Sequence, residues 1–440
     1  MKKQLGFLDL IWLTNEVDNV PYWVLTSIEV KKVIQRKQLE KVVFQTLERY
    51  PVLMSRIVHS DKEYFFEFPD SATGINLQEY IIAEKGSHSD VLNKLALQPY
   101  DETRSPMFYV HHVNLKDTTI LIVRSSHIFL DGASCFTLLA LIIHNLLSET
   151  AYYPEFRFEL PENYIRQISS NISGIKFPGR FKRYLIGIKE FLYLLIRHPF
   201  KPQIFNTHDS ELEKSKYRTI IIDEQFSKTV RSIRNNHGVS SNTIINFLIL
   251  CSYSIVTGND KFVNVYPKNI RNETGFTLGN LISPNFVSFE YKPKEILLNQ
   301  LLLFNDVIQA EIEELENVFV MYLGKIYPSK TLKNAKKEGE KSTNGNVHTS
   351  NMGKFPPYSI PKEIAKEFEK YPISNLRVNV RPKSKMGAIF NIFMLKNNYS
   401  LGFSYTPSLE GTVSKMIEFI QEGIKNLSDK LNSPVGDLFS

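Results

Sequence analysis

The chain has 440 residues, 42% of them hydrophobic and 22% charged, and its 30 Phe and 21 Tyr exclude a disordered protein. This length exceeds what one hydrophobic core usually organises, so we expect two domains of roughly 200 residues each. The net charge of +7 is typical of a lysine-rich protein or of one that binds an anionic partner, such as CoA, a phosphopantetheine arm or a lipid surface. The sequence has no pattern of basic and aromatic residues that would indicate nucleic-acid binding.

The first half of the sequence predicts alternating helices and strands. Its opening segment MKKQLGFLDLIWLT is interpreted as folded structure and not as a signal peptide, because Asp9 interrupts the apolar run and no small-residue cleavage site follows. Apolar residues recur at helical spacing from Gln38 to Tyr50, and Pro51 ends this helix. Strands are predicted at residues 63–68, 105–114 and 118–126, and a helix at 133–147.

The composition changes after this helix, which indicates a crossover between two halves. In residues 176–205, basic residues greatly outnumber acidic ones and are interleaved with Phe, Tyr, Leu and Ile. Such a segment can lie in a membrane interface or cover a hydrophobic tunnel, but an ordinary crossover helix has the same composition. Its most apolar part, residues 184–196, is too short to span a bilayer and carries Lys189 and Glu190, so we predict no transmembrane helix.

The second half again predicts mixed α/β structure. A strand at 216–223 precedes two helices that meet at Gly238, with Ser240 or Ser241 as the N-cap of the second. The elements that follow are a lysine-rich loop at 328–346, a strand at 347–353, a hairpin with the turn KNNY at 387–405 and a helix at 413–427. We therefore divide the chain into residues 1–165, a crossover at 166–215 and residues 216–440.

The loop between the strand at 118–126 and the helix at 133–147 carries a histidine and a carboxylate, His127 and Asp131. Histidine has an unperturbed pKa of about 6.5, so it can take up and return a proton near neutral pH. Asp131 immediately precedes a helix and would cap its free N–H groups, and a histidine at a strand end can be purely structural. The pair alone leaves both interpretations open.

In its context, the segment SHIFLDG (residues 126–132) resembles the His-His-x-x-x-Asp-Gly motif of the condensation-domain and chloramphenicol acetyltransferase superfamily. That group includes alcohol O-acetyltransferases and wax ester synthases. Four further segments resemble superfamily segments in the same order along the chain: LERYPVLMSRI, SPMFYVHHV, VYPKNIRNETGFTLGN and TSNMGKF. Ser126 replaces the first histidine of the motif, which favours simple acyl transfer over peptide-bond formation.

The resemblance implies an α/β (α+β) fold of two chloramphenicol acetyltransferase-like subdomains, each a mixed sheet packed with helices, that form a pseudo-dimer around a central tunnel. His127 is then the general base that removes a proton from an acceptor hydroxyl or amine as it attacks an acyl thioester. Asp131 is structural and pairs with Arg271, and Gly132 permits a tight loop that substrate approaches closely. The remaining candidates, for substrate binding or for stabilising an oxyanion, are Ser126, Asn280, Ser350 and Asn351.

These features predict an acyltransferase for groups other than amino-acyl groups, with acyl-CoA as co-substrate and no tightly bound cofactor. The acceptor is expected to be a small molecule or a lipid. Two alternatives stay open: a stand-alone condensation domain that uses a carrier-protein thioester, with an acyl carrier protein as partner, and a non-catalytic member of the fold.

The cysteine and histidine content bears on redox compartment and metal binding. Cys135 and Cys251 are too few for a disulfide scaffold or a cysteine zinc site and suit a reducing cytoplasm. His111 and His112 alternate on a strand without a ligand cluster nearby, so no metal site is expected. Peripheral membrane association through residues 176–205 is left open.

Overall fold

The computed structural model describes residues 2–5, 13, 22–60, 63–98, 106–159, 215–269, 271, 276–313, 347–382 and 387–440. The basic segment at 176–205 and the lysine-rich loop at 328–346 lie outside these residues. Within them, no single helix is long and apolar enough to cross a membrane, and one helix pair bent by 114°, Glu224–His237 with Ser241–Thr257, meets those criteria only when joined.

The first half alternates strands and helices. Its elements are β1 (Lys2–Gln4), β2 (Trp23–Val30), α1 (Arg36–Arg49), β3 (Arg56–Ser60), β4 (Glu63–Glu67), β5 (Ile81–Ala83), α2 (His88–Leu97), β6 (Phe108–Asn114), β7 (Thr119–Ser126), α3 (Gly132–Leu147) and β8 (Arg157–Phe158).

The second half contains longer strands and helices. Its elements are β9 (Lys216–Ile221), α4 (Glu224–His237), α5 (Ser241–Thr257), β10 (Lys261–Asn269), β11 (Thr277–Leu278), β12 (Ile282–Glu290), α6 (Leu297–Glu313), β13 (Val347–Phe355), α7 (Lys362–Glu367), β14 (Ile373–Val380), β15 (Ala388–Leu395), β16 (Asn398–Tyr405) and α8 (Glu410–Asn426).

Local sequence signals account for many of these boundaries. Helix α4 ends at Gly238, whose positive φ of 72° is the left-handed conformation that glycine adopts easily. Helix α5 begins after Ser240, whose side chain accepts a hydrogen bond from the Thr243 N–H. The predicted helices and strands in the described part of the chain are therefore confirmed, with ends displaced by a few residues.

The first half is built on a mixed five-stranded sheet in the order β14-β2-β7-β6-β5. Its middle strand β7 is buried at every residue and leads directly into the loop that carries His127. Helix α3 packs against β2 and β7, and α1 packs against α3. The loop after β7 is thus anchored by a buried strand before it and a buried helix after it.

The second half is built on a mixed six-stranded sheet in the order β12-β10-β13-β15-β16-β9. Helix α5 packs against α4, α6 and α8, and these helices enclose a second hydrophobic core with the sheet. A short parallel pair, β8 with β11, connects the two halves and brings residues 277–278 beside the first half.

Strand β14 belongs to the second half in sequence but to the first sheet in space. It pairs antiparallel with β2, with Val378 opposite Thr26. Residues from Phe355 to Val380 contribute apolar side chains to the first core, among them Phe368 and Tyr371. No local pattern in the sequence indicates this exchange of β14 between sheets, because an edge strand that pairs with its own half would show the same alternation of apolar and polar residues.

Candidate active site

His127 lies in the first turn of the loop that follows β7. Its backbone N–H donates to the Tyr22 carbonyl (2.8 Å), and its imidazole stacks on the Tyr22 ring with centroids 5.0 Å apart and planes 25° apart. The residue is 6% exposed. The Ser126 carbonyl accepts from the N–H groups of Phe129 and Leu130 (3.0 and 3.1 Å), which folds the loop tightly around the histidine.

Tyr22 provides a neutral platform for this imidazole. Burial, and after it the nearby phenol of Tyr217, raise the pKa of the Tyr22 hydroxyl far above its usual value. The tyrosine therefore stays protonated, and the stacking contact holds the ring plane of His127 without placing a charge beside it.

Asp131 caps helix α3 and binds Arg271 at the same time. Its carboxylate accepts from the Ser134 N–H (2.9 Å), from the Leu281 N–H (2.8 Å) and from both terminal nitrogens of Arg271 (2.7 and 2.9 Å). Burial alone would raise the pKa of this carboxyl, but the Arg271 charge and the backbone donors together hold it below its ordinary value. The structure thus brings together the two residues that the sequence analysis paired.

Arg271 extends this network to β11 and the residues that follow it. Its Nε donates to the Thr277 carbonyl (2.8 Å), and one terminal nitrogen also donates to the Ser134 hydroxyl (2.7 Å) and the Gly279 carbonyl (2.8 Å). The Ser134 hydroxyl in turn accepts from the Gly279 N–H (3.1 Å). Residues 277–281 are therefore held against the first turn of α3, although Gly279 and Leu281 lie 145 and 150 residues from their partners Ser134 and Asp131 along the chain.

Gly132 is packed closely by the side chain of Met352. It is the first residue of α3, and a β-carbon there would overlap the terminal methyl group of Met352 and lie 2.8 Å from its sulfur. That this glycine permits a tight loop and close substrate approach stays a prediction. In the structure, the missing side chain makes room for that of Met352 on β13.

Ser126 and Asn280 are both buried next to this network. The Ser126 hydroxyl and both amide atoms of Asn280 make no hydrogen bond in the described part of the chain. Ser126 directly precedes His127, and Asn280 lies between Gly279 and Leu281, both of which bind the Asp131–Arg271 network. These two side chains therefore have donors and acceptors that no other described residue uses.

Ser350 and Asn351 lie at the middle of β13 and differ from each other. The Ser350 hydroxyl donates a hydrogen bond to the Met352 sulfur (3.5 Å), and Ser350 lies opposite Asn391 of β15. The amide of Asn351 donates to Asn242 on α5 (2.8 Å), and its oxygen accepts from the Gly353 N–H (2.8 Å). The Asn351 side chain is therefore occupied in holding the β13 irregularity.

The other singled-out residues are structural in their contacts. Burial raises the pKa of the Cys135 thiol, which disfavours the reactive thiolate. His111 Nδ1 lies 3.2 Å from a carboxylate oxygen of Glu84, and burial lowers the pKa of the imidazole to about 4. No cluster of three or more potential metal ligands occurs among the described residues.

Sequence reasoning missed three residues that contribute to this region. Ser134 was hidden in the first turn of a helix, where a serine is unremarkable. Tyr22 lies just before a strand without any motif. Asn391 carried a usable signal, because it is the one polar side chain in the otherwise apolar strand AIFNIFML.

Comparison with known proteins identifies the fold. No family model matches the sequence, and no curated protein matches it. Among solved structures, it is similar to the epimerization domain from the third module of tyrocidine synthetase B, with 11% identity, a TM-score of 0.70 and 98% of each chain covered. It is similar to TRI3 trichothecene 15-O-acetyltransferase from Fusarium sporotrichioides, with 11% identity, a TM-score of 0.68 and 95% of each chain covered.

A third similar structure is a mutant starter condensation domain of rhizomide synthetase in complex with C8-CoA and Leu-SNAC. It shares 13% identity and a TM-score of 0.66, with 99% of this chain and 96% of that chain covered. These likenesses show that the chain has the chloramphenicol acetyltransferase-like fold of condensation domains, as the motif resemblance predicted.

Proposed function

We propose that this chain is an acyltransferase in which His127 is the general base that moves an acyl group from a CoA thioester to a hydroxyl or amine of a small-molecule or lipid acceptor. The observation that supports the proposal is the fixed position of His127. Its imidazole stacks on Tyr22, and the Asp131–Arg271 ion pair holds the loop that carries it. A loop held in this way keeps a base in one geometry.

In the proposed reaction, the acceptor transfers its proton to the imidazole of His127 as its oxygen or nitrogen attacks the thioester carbonyl carbon. The tetrahedral intermediate then collapses, the carbon–sulfur bond breaks, and the thiolate leaves with the proton that His127 returns. Fixed donors must stabilise the negative charge on the intermediate's oxygen. We assign this role to the Ser126 hydroxyl or the Asn280 amide, whose polar atoms have no other partner in the described part of the chain.

Asp131 takes no part in proton transfer in this proposal. The hydrogen bonds of its carboxylate go to Arg271, Ser134 and Leu281 and not to the histidine four residues before it. In this proposal His127 is the base and Asp131 holds the loop in place. Asp131 does not orient the imidazole as the carboxylate of a catalytic triad does.

The donor is proposed to be acyl-CoA. Support comes from two of the similar structures, one named as an O-acetyltransferase and one a condensation domain bound to C8-CoA. A carrier-protein thioester presents the same reactive group on the same pantetheine arm, so the stand-alone condensation domain remains the second candidate.

Release of free thiol from acetyl-, octanoyl- and palmitoyl-CoA, measured in the presence of hydroxyl and amine acceptors, tests this proposal. We expect His127→Ala to lower the rate by about 10²–10⁴-fold, which is the usual contribution of a positioned general base. His237→Ala, which alters an exposed histidine at the end of α4, is the matched control and should retain the wild-type rate.

Different outcomes of this assay test the identity of the acyl donor and the role of His127. Turnover with a carrier-bound acyl group and not with acyl-CoA would favour the condensation-domain candidate. Turnover that His127→Ala leaves unchanged, or no turnover with either donor, would contradict the proposal.

A further inference from the structure

The second sheet has one face toward its own helices and one toward the first half. On β15, Phe390 and Ile392 pack into the second core, whereas Ile389 and Phe393 pack into the first. Residue 391 shares the face of Ile389 and Phe393, since side chains alternate along a strand. We call this the inner face.

Three polar side chains occupy adjacent positions on the inner face, and we call them the inner polar patch: Tyr217, Asn391 and Ser404. Tyr217 of β9 lies directly opposite Ser404 of β16, and Asn391 lies opposite Gly402, two residues before Ser404. The Tyr217 and Ser404 hydroxyls and both amide atoms of Asn391 are buried and make no hydrogen bond in the described part of the chain.

Such an arrangement lowers folding stability, because each of these atoms loses its water without gaining a partner. Structural polar residues in a core are normally satisfied, and those that are not deserve a functional explanation. Here four such atoms occur on three neighbouring strands of one face, where a bound ligand would supply their partners.

The patch is continuous with the candidate active site. The Tyr217 phenol is close enough to Tyr22 to raise the pKa of its hydroxyl, and the Tyr22 ring stacks on the imidazole of His127. Tyr217 also packs against the first core, to which Tyr22 belongs, so the patch adjoins the tyrosine that supports the proposed base.

The neutral side chains of the patch limit what it binds. Arg381, which follows β14 and is 3% exposed, partly offsets the effect of burial on the Tyr217 pKa. The patch itself contains no carboxylate. The hydroxyl and amide groups of a ligand match the neutral donors and acceptors present in it.

Building on the proposed acyl transfer, we propose that the inner polar patch binds the acceptor and selects one that carries uncharged hydroxyl or amide groups beside the group to be acylated. Such an acceptor satisfies Tyr217, Ser404 and Asn391. An aliphatic acceptor leaves them buried without partners, and sites of this kind discriminate strongly against a substrate that lacks the hydrogen-bonding group.

Matched acceptor pairs test this proposal with the full-length chain. We would compare 1,2,4-butanetriol with 1-butanol, and glycinamide with propylamine, and determine kcat/KM for each. We expect wild type to prefer the polar member of each pair by about tenfold or more, and Tyr217→Phe and Asn391→Leu each to reduce that preference by about tenfold. Tyr358→Phe, which alters a tyrosine that is 93% exposed, should keep the wild-type preference.

Thermal unfolding of the ligand-free protein gives a second readout that does not depend on turnover. If the polar atoms await a ligand, Tyr217→Phe and Ser404→Ala will leave Tm unchanged or raise it, whereas residues with a structural role would lower it. Equal kcat/KM within both acceptor pairs would overturn this inference and leave the proposed acyl transfer standing. A lower Tm in both variants would overturn it even if no acyl donor were used.

Discussion

The Asp131 carboxylate and the Arg271 guanidinium satisfy each other almost completely, with side chains 1% and 11% exposed. The carboxylate also accepts two backbone N–H groups, and the guanidinium also donates to the Ser134 hydroxyl and to two carbonyls. Removing one charge therefore leaves the other buried without compensation, and this lowers the stability of the fold more than replacing both residues does.

We expect Asp131→Asn to lower the free energy of unfolding by about 3–5 kcal/mol, because the amide leaves the Arg271 charge unbalanced. Denaturant-induced unfolding measures this difference. The double variant Asp131→Asn/Arg271→Met should recover part of the loss. A double variant no more stable than Asp131→Asn would show that the ion pair is not the source of the effect.

The lowered pKa of buried His111 predicts that the stability of the protein depends on pH. Burial lowers the pKa of its imidazole in the folded protein to about 4, although Glu84 Oε1 lies 3.2 Å from Nδ1. Between pH 6.5 and 4 the unfolded chain thus binds a proton that the folded chain does not. Stability from this residue is complete above about pH 6.5 and falls by about 3 kcal/mol as the pH drops to 4.

Denaturation midpoints at pH 7, 5.5 and 4.5 would measure this dependence, with His111→Gln as the comparison. We expect the variant to lose less stability than wild type over this interval. Parallel pH profiles for the two proteins would contradict the assignment. The contribution of the Glu84 carboxyl is lost at lower pH, since its bond to His111 and its ion pair with Lys94 hold its pKa near 2.

Two glycines determine how closely neighbouring elements approach α3 and β11. Gly132 begins α3 beneath the flexible end of Met352, whereas a β-carbon on Gly279 would overlap the carbonyl oxygen of Glu159. Gly279 also has a positive φ of 142°, which disfavours other residues. A flexible side chain yields to an added methyl group more easily than a backbone carbonyl does.

We therefore expect Gly279→Ala to destabilise the protein more than Gly132→Ala, for which overpacking by one methyl group costs about 1–3 kcal/mol. Thermal unfolding of both variants gives the ranking. Met352→Ala should rescue Gly132→Ala and leave Gly279→Ala unaffected. The opposite ranking would mean that the β13 contact with α3 is the stiffer of the two.

The exchange of β14 makes the two halves parts of one folding unit. Without β14, the strand β2 becomes an unpaired edge, and the first core loses side chains between Phe355 and Val380 that pack into it. At Gly402, a β-carbon would lie 2.9 Å from the Val378 carbonyl oxygen, so β14 also approaches β16 closely. An exposed apolar edge strand favours aggregation.

We accordingly expect residues 1–215 expressed alone to aggregate or to lack a cooperative thermal transition. Addition of residues 355–382 through a flexible linker should restore solubility in part. Circular dichroism during heating and size-exclusion chromatography measure both outcomes. A soluble 1–215 fragment with a sharp transition would show that the exchanged strand is dispensable.

Local patterns predicted five of the eight helices in the described part of the chain (α1, α3, α4, α5 and α8), seven of the strands (β4, β6, β7, β9, β13, β15 and β16) and the cap at Asp131, and they left Ser240 and Ser241 as alternatives for the cap of α5. These features depend on residues within a few positions of one another. The motif around His127 led to the fold and to the Asp131–Arg271 pair through resemblance. The position of β14, the part played by Ser134 and the patch of Tyr217, Asn391 and Ser404 emerged only in the folded chain. They depend on side chains brought together from distant segments of the chain. Neither the periodicity of apolar residues nor the spacing of motifs indicates which segments lie next to each other in the fold.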